Sequence, residues 1–173
     1  MLFGEAMSLL LTHLHMGERI RRKQLARSPI VLAHALRRMV FNTMKQKAVK
    51  HPDKSTNTGA YSAGVCCDGW LYVSGHASQD LKTGDVISGT TAEETTRTLA
   101  SIGKVLNEAD CTFDDVVKCT CYLAKIEDFD EFNQAYSAFF SGVMPARTTV
   151  QAVLWGGLKV EIDAIARLNG EEK

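Results

Sequence analysis

Apolar and polar positions alternate in short runs between residues 61 and 167, and two longer stretches repeat at the helical period. Tyr61 to Val65 and Trp70 to Ser74 are rich in aromatic and β-branched residues and meet at Asp68-Gly69, a pair suited to a tight hairpin turn. A loop, Lys82-Thr83-Gly84-Asp85, leads into a third short strand at Val86-Ile87. Thr91 and Glu94 have capping-box spacing and predict a helix to about Ala109. Its Leu99, Ile102, Val105 and Leu106 fall on one buried stripe. Val116 to Ala124 alternates as a strand. Asp128 and Glu131 repeat the capping spacing for a second helix, with Phe132, Ala135, Tyr136 and Phe139 facing inward. Arg147 to Trp155 and Lys159 to Arg167 flank Gly156-Gly157 and read as a final hairpin of adjacent strands. The order β-β-(β)-α-β-α-β-β predicts an α+β fold, one mixed β-sheet with two helices on one face. The second sheet face has no helix to cover it, which predicts a symmetric oligomer.

Charge divides the chain where the pattern does. Residues 1–43 hold seven Lys/Arg against two Asp/Glu, net +5; residues 44–173 hold thirteen against eighteen, net −5. The 173 residues have room for one domain with a real core, assigned to 44–173. The basic segment 1–43 fits either an organelle transit peptide or an extension ahead of a second start at Met44. Its Leu9-Leu10-Leu11 run falls far short of the ~20 apolar residues that span a membrane, so no membrane association is expected. An acidic body gives no electrostatic help to nucleic-acid binding, and no nucleic-acid partner is expected.

Five cysteines (Cys66, Cys67, Cys111, Cys119, Cys121) show no zinc-like spacing. Cys119 and Cys121 share one strand face and read as small hydrophobes in a reduced compartment. That points to the cytoplasm, or to the mitochondrial matrix if the N-terminal segment is a transit signal. No phosphate-cradling loop, dinucleotide fingerprint, serine elbow or Schiff-base lysine stands out, so no cofactor and no metal are expected.

Two charged residues near the end carry the candidate chemistry. Arg147 follows Pro145-Ala146 at a strand start, where a fixed guanidinium can grip a carboxylate through two parallel hydrogen bonds. Glu161 lies on the returning strand and can orient or deprotonate a water beside that anion. An edge-strand ion pair between the two explains the same residues equally well. Tyr61, just after Gly59-Ala60, can turn its hydroxyl to a cleft or serve as a strand aromatic. Gly75, in Val73-Ser74-Gly75-His76, lets the backbone come close to a ligand. His76 suits a general base or a structural histidine, and Asn133 a ligand donor or a surface amide.

Gly59-Ala60-Tyr61-Ser62, Val73-Ser74-Gly75, Asp115-Val116-Val117-Lys118, Phe132-Asn133-Gln134-Ala135-Tyr136, Pro145-Ala146-Arg147 and Val160-Glu161-Ile162-Asp163-Ala164-Ile165-Ala166 occur in that order. Together they resemble the RidA (YjgF, L-PSP endoribonuclease) family over about Met44 to Leu168. The resemblance implies a chorismate-mutase-like domain that forms a homotrimer with clefts between subunits. It implies hydrolysis of reactive 2-imino or enamine acids (2-aminoacrylate, 2-iminopropanoate, 2-iminobutanoate) to a 2-keto acid and ammonia. Arg147 would then grip the substrate carboxylate and Glu161 position the water. Tyr61, Gly75, Asn133 and Thr149 would line the cleft. His76 stands where the family often has glutamine, Ser78 where it often has proline and Thr149 where it often has cysteine, all bordering the expected cleft. Two other activities remain open at this level: RNA cleavage or translation inhibition, and a non-catalytic role as a small-carboxylate sensor or chaperone.

Overall fold

The computed structural model describes residues 46–54 and 59–168; the expected extension over 1–43 lies outside them. Six strands make one sheet: β1 (Lys47–Val49), β2 (Gly64–Cys67), β3 (Trp70–Ala77), β4 (Val116–Leu123), β5 (Ala146–Gln151) and β6 (Val160–Arg167), in the order β1-β2-β3-β6-β4-β5. Helices α1 (Thr91–Asn107) and α2 (Phe129–Ser137) complete the described elements. Neighbouring strands are antiparallel except β4 and β5, whose parallel pairing requires the crossover through α2.

One core forms between the sheet and the helices. The α1 stripe Leu99, Ile102, Val105 and Leu106 is fully buried against Leu71, Val73, Ile162 and Ala164 of the central strands. Each such aliphatic side chain contributes about 1.5–3 kcal/mol on burial. From α2, Phe132 and Tyr136 close the same core over Cys119 and Cys121. This is the expected mixed sheet with two helices.

The predicted hairpin turn is present, with Asp68 at φ 52° and Gly69 at φ 78° between β2 and β3. The other predicted hairpin is absent. β5 and β6 are not adjacent, because β4 lies between them, parallel to one and antiparallel to the other. Gly156 and Gly157, at φ 63° and 80°, belong to a 3₁₀ turn over Trp155–Gly157 and close no ladder. The ends of that connection are pinned to the end of β4 instead: Ala152 N–H donates to Leu123 O and Ala124 N–H to Lys159 O, both at 2.9 Å.

Smaller departures have local causes. The strand predicted over 61–65 begins later, at Gly64, and a short unpredicted β1 pairs with it. Val86 forms a single bridge to Gln79 and no strand. The capping box of α1 is Thr90 with Glu93, one residue before the predicted pair. Glu94 is buried instead, accepting from Lys159 N–H (2.8 Å), Lys159 Nζ (3.3 Å) and Gly89 N–H (3.3 Å). Asp128 and Glu131 do not box α2; they accept from Thr91 Oγ1 and Ala92 N–H at the start of α1.

Candidate active site

The two charged residues fall on opposite faces of the sheet. Arg147 registers with Cys119, which is buried on the helix side; Glu161 registers with Tyr122 and Ala77. Positions 119 and 122 of one strand point to opposite sides. An Arg147–Glu161 ion pair is therefore excluded within one chain, which removes the edge-strand ion pair from consideration.

On the helix side, the Arg147 guanidinium carbon sits 4.7 Å from the ring centre of Tyr136, 5.3 Å from Phe132 and 5.5 Å from Phe129. These rings recur at i, i+3 and i+7 of α2, one helical face. Their π-faces attract the cation without neutralising it. Arg147 Nη2 donates to Asn133 Oδ1 at 2.8 Å, and no described carboxylate pairs with it. The result is a fixed, half-exposed cation with donors left for an anion. Thr149, two residues on, shares this face, but its Oγ1 is buried and has no hydrogen-bond partner among the described residues. Beneath lie Cys119 and Cys121. Burial pushes the Cys121 thiol up to about 12 and raises Cys119 as well, so neither is a thiolate nucleophile.

On the helix-free side, Glu161 lines an open cavity of about 600 Å³ with Tyr61, Ser74, Gly75, Ala77 and Trp155. β3 carries a bulge between Val73 and His76, where two of its residues face one of β6. This turns Gly75 outward beside the carboxylate, and a Cβ at position 75 would overlap Glu161 Oε1. Loss of water contact raises the Glu161 pKa, and the nearby Asp163 charge adds to the rise. No described residue hydrogen-bonds the Glu161 carboxylate, so its oxygens are available to a water. Tyr61 is 52% exposed. Its hydroxyl accepts from Lys54 Nζ at 3.1 Å, and that ammonium also lies 4.3 Å from its ring centre.

The same bulge turns His76 away from the cleft. It is buried on the helix side, its Nδ1 2.9 Å from Ser101 Oγ, and burial lowers its pKa to about 4. It therefore does not border the cavity, contrary to the expectation from its place in the sequence. Ser78 likewise is fully buried, donating to Ile87 O and accepting from Arg97 Nε.

The candidate residues thus form two groups: Tyr61, Gly75 and Glu161 in the cavity, and Asn133, Arg147 and Thr149 on the far face. Sequence reasoning passed over Ser74 and Trp155. Trp155 sat beside a glycine pair read as a hairpin turn. Phe132 and Tyr136 read from the sequence pattern only as core, and Phe129 is not singled out there, although the three rings have i, i+3, i+7 spacing. No group of three or more His, Cys, Asp or Glu side chains among the described residues could hold a metal ion. No described helix is long and apolar enough to cross a membrane.

The profile of the family described as Endoribonuclease L-PSP matches residues 52–168. A Rattus norvegicus protein named 2-iminobutanoate/2-iminopropanoate deaminase is 43% identical over 127 residues, covering 73% of this chain and 93% of that protein. Among solved structures, the Rid-family protein YyfA of Yersinia pestis superposes with a TM-score of 0.67 at 32% identity, covering 71% of this chain and 99% of that one. RidA from an Antarctic Psychrobacter gives 0.65 at 27% identity, over 70% and 98% of the two chains.

Proposed function

The chain belongs to the endoribonuclease L-PSP (RidA) family, and from that premise we propose that it is a hydrolytic deaminase of 2-imino acids, working at sites shared between subunits of a homotrimer. The observation that carries this reading is the partition of the charged groups. The cation and the base of one chain point to opposite sides of its sheet, so each is half of a site that a second copy completes. The helix-free face that would meet that copy carries exposed Tyr72 and Val150, apolar surface suited to subunit contact.

The chemistry asks little of the protein. An imine carbon is already electrophilic, so binding and orientation supply most of the acceleration. Arg147 of one subunit, held by Asn133 over the α2 rings, takes the substrate carboxylate. Glu161 of the next, unpaired and with a raised pKa, accepts a proton from the attacking water as the C–O bond forms. The imine nitrogen, which enters protonated, becomes an amine on a tetrahedral carbon; Glu161 then passes the water's proton to that amine, which leaves as the carbinol hydroxyl gives up its own proton. The Tyr61 hydroxyl and the backbone at Gly75 stabilise that carbon's substituents, and its collapse releases ammonia and the 2-keto acid. Thr149 sits behind Arg147 as part of the carboxylate side. No cofactor or metal enters these steps.

The profile match begins at residue 52, which supports assigning the activity to 44–173 and treating residues 1–43 as an extension. The free cysteines fit a reducing compartment, cytoplasm or matrix. RNA cleavage is the weaker reading, because residues 44–173 carry net −5 and a phosphate backbone favours clustered cations.

The test is complementation. Arg147→Ala and Glu161→Gln proteins, each inactive on imine made by a coupled threonine dehydratase, are unfolded together and refolded as mixed oligomers. Recovered ammonia release supports sites built from two subunits. Activity in Arg147→Ala alone would end the deaminase reading.

A further inference from the structure

The cavity beside Glu161 has two large apolar side chains, Leu81 and Trp155, in its wall. Its volume in one chain is about 600 Å³. Glu161, Ala77, Leu81 and Trp155 share its wall. Two polar side chains along the wall donate elsewhere. Ser74 Oγ donates to Ser62 O at 2.7 Å, and Gln79 Nε2 to Gly84 O at 3.1 Å. Leu81 and Trp155 offer a ligand's side chain hydrocarbon and an indole that is 54% exposed.

Leu81 and Trp155 both sit on hydrogen-bonded turns. Leu81 rides a turn closed by Gly84 N–H to Asp80 O (2.7 Å) and Lys82 N–H to Asp80 Oδ1 (2.8 Å). Trp155 rides the 3₁₀ turn, whose Leu158 N–H donates back to Trp155 O at 3.2 Å. That turn abuts the Leu81 loop: a Cβ on Gly156 would come within 2.9 Å of Val86, the residue that bridges to Gln79. Backbone held before the ligand arrives leaves less entropy to lose on binding it.

We propose that Leu81 and Trp155 form a side-chain subsite that favours 2-imino acids with a large apolar side chain, branched aliphatic or aromatic, over those with a methyl or ethyl group. This rests on the deaminase reading and deepens it. The reaction is unchanged: R–C(=NH)–COO⁻ and water give R–CO–COO⁻ and ammonia, with R lying against the indole. The source of such substrates follows from their chemistry. Dehydratases that eliminate the β-hydroxyl of serine or threonine yield short enamines. A large apolar imine arises from two-electron oxidation of an amino acid at its Cα–N bond, so an amino-acid oxidase or dehydrogenase must supply it.

The experiment uses the full chain with imines generated by an L-amino-acid oxidase from leucine or phenylalanine, and from alanine or 2-aminobutyrate. The acceleration over spontaneous hydrolysis gives kcat/KM for each. One methylene in an apolar pocket is worth about tenfold or more. Wild type is therefore expected to favour the leucine- and phenylalanine-derived imines, and Trp155→Ala to lower the large-to-small ratio at least tenfold, with Leu81→Ala acting in the same direction. A wild-type preference for the small imines, or a ratio unmoved in both variants, overturns the subsite. Calorimetric titration with 4-methyl-2-oxopentanoate and 2-oxobutanoate separates the two levels of the argument. Tighter binding of the larger acid, lost in Trp155→Ala, upholds the subsite even if no imine is turned over; equal affinities refute it. Absence of acceleration with every imine refutes the deaminase reading.

Discussion

Arg147 and Asn133 are joined by a single hydrogen bond, Nη2 to Oδ1 at 2.8 Å, between the start of β5 and the middle of α2. The bond aims a guanidinium that no described carboxylate neutralises. Asn133→Ala leaves the cation but frees its direction. We expect about a tenfold loss in kcat/KM, mostly through KM. Arg147→Ala removes a charge-assisted contact of roughly 2–5 kcal/mol and should cost at least about thirtyfold. Steady-state kinetics on coupled imine production distinguishes the two. Equal losses in both would mean that Asn133 does more than orient.

Glu161 and Gly75 make the second prediction. Glu161→Gln should lower kcat by about 10²–10⁴, the range for a positioned base, while KM changes little. Gly75→Ala should resemble it, because the added Cβ displaces the carboxylate. The folded pKa is raised and the working form is the carboxylate, so activity falls as pH drops through a value above that of a free glutamate. This acid limb should vanish in Glu161→Gln. Urea unfolding should find Glu161→Gln at least as stable as wild type, since it replaces a poorly solvated anion.

His76 ties stability to pH. Asp53 N–H donates to His51 Nδ1 at 3.1 Å, which leaves the proton of neutral His51 on Nε2, 3.1 Å from Ser101 Oγ. The Ser101 hydroxyl then donates to His76 Nδ1 at 2.9 Å. This chain requires a neutral His76, and burial first, then the neighbouring His51 and Lys54, lower its pKa from 6.5 to about 4. Between those values the unfolded chain binds the proton and the folded one does not. The contribution is fully present above pH 6.5 and is lost as pH falls toward 4, up to about 3 kcal/mol. Urea midpoints measured from pH 7 to 4 should fall in wild type and be flatter in His76→Gln.

Glu94 is a buried carboxylate shared by three donors. Glu94→Ala leaves the Lys159 and Gly89 N–H groups without partners, at about 1–3 kcal/mol each. We expect a loss of about 2–4 kcal/mol in urea unfolding and a smaller one for Glu94→Gln, which still accepts. Lys159→Met should cost less than Glu94→Ala, because its ammonium is partly solvated and the backbone donors stay satisfied.

What the sequence revealed was local. The α1 stripe of Leu99, Ile102, Val105 and Leu106 was legible because the helical period repeats over enough residues, and the β2–β3 turn because Asp68-Gly69 demands left-handed geometry. Arg147 and Glu161 stood out by residue type, but their separation by β4 did not, since strand order is set by how distant segments pair. Parity failed at Val73–His76, where the bulge inserts a residue and reverses which side chains face the core. The family motifs supplied the candidate site; the opposed faces of its two halves became visible only in three dimensions.

β6 is the last described strand in sequence, yet it sits between β3 and β4. Until residues 160–167 leave the ribosome, the β1–β3 meander and the β4–α2–β5 crossover have no shared ladder, and Leu71 and Cys121 lack their central neighbour. Nucleation must wait for contacts across most of the domain, the kind that slow folding. A nascent chain stalled before residue 160 would expose two unzipped edges, so chaperone capture should peak there and drop once Val160–Arg167 has emerged.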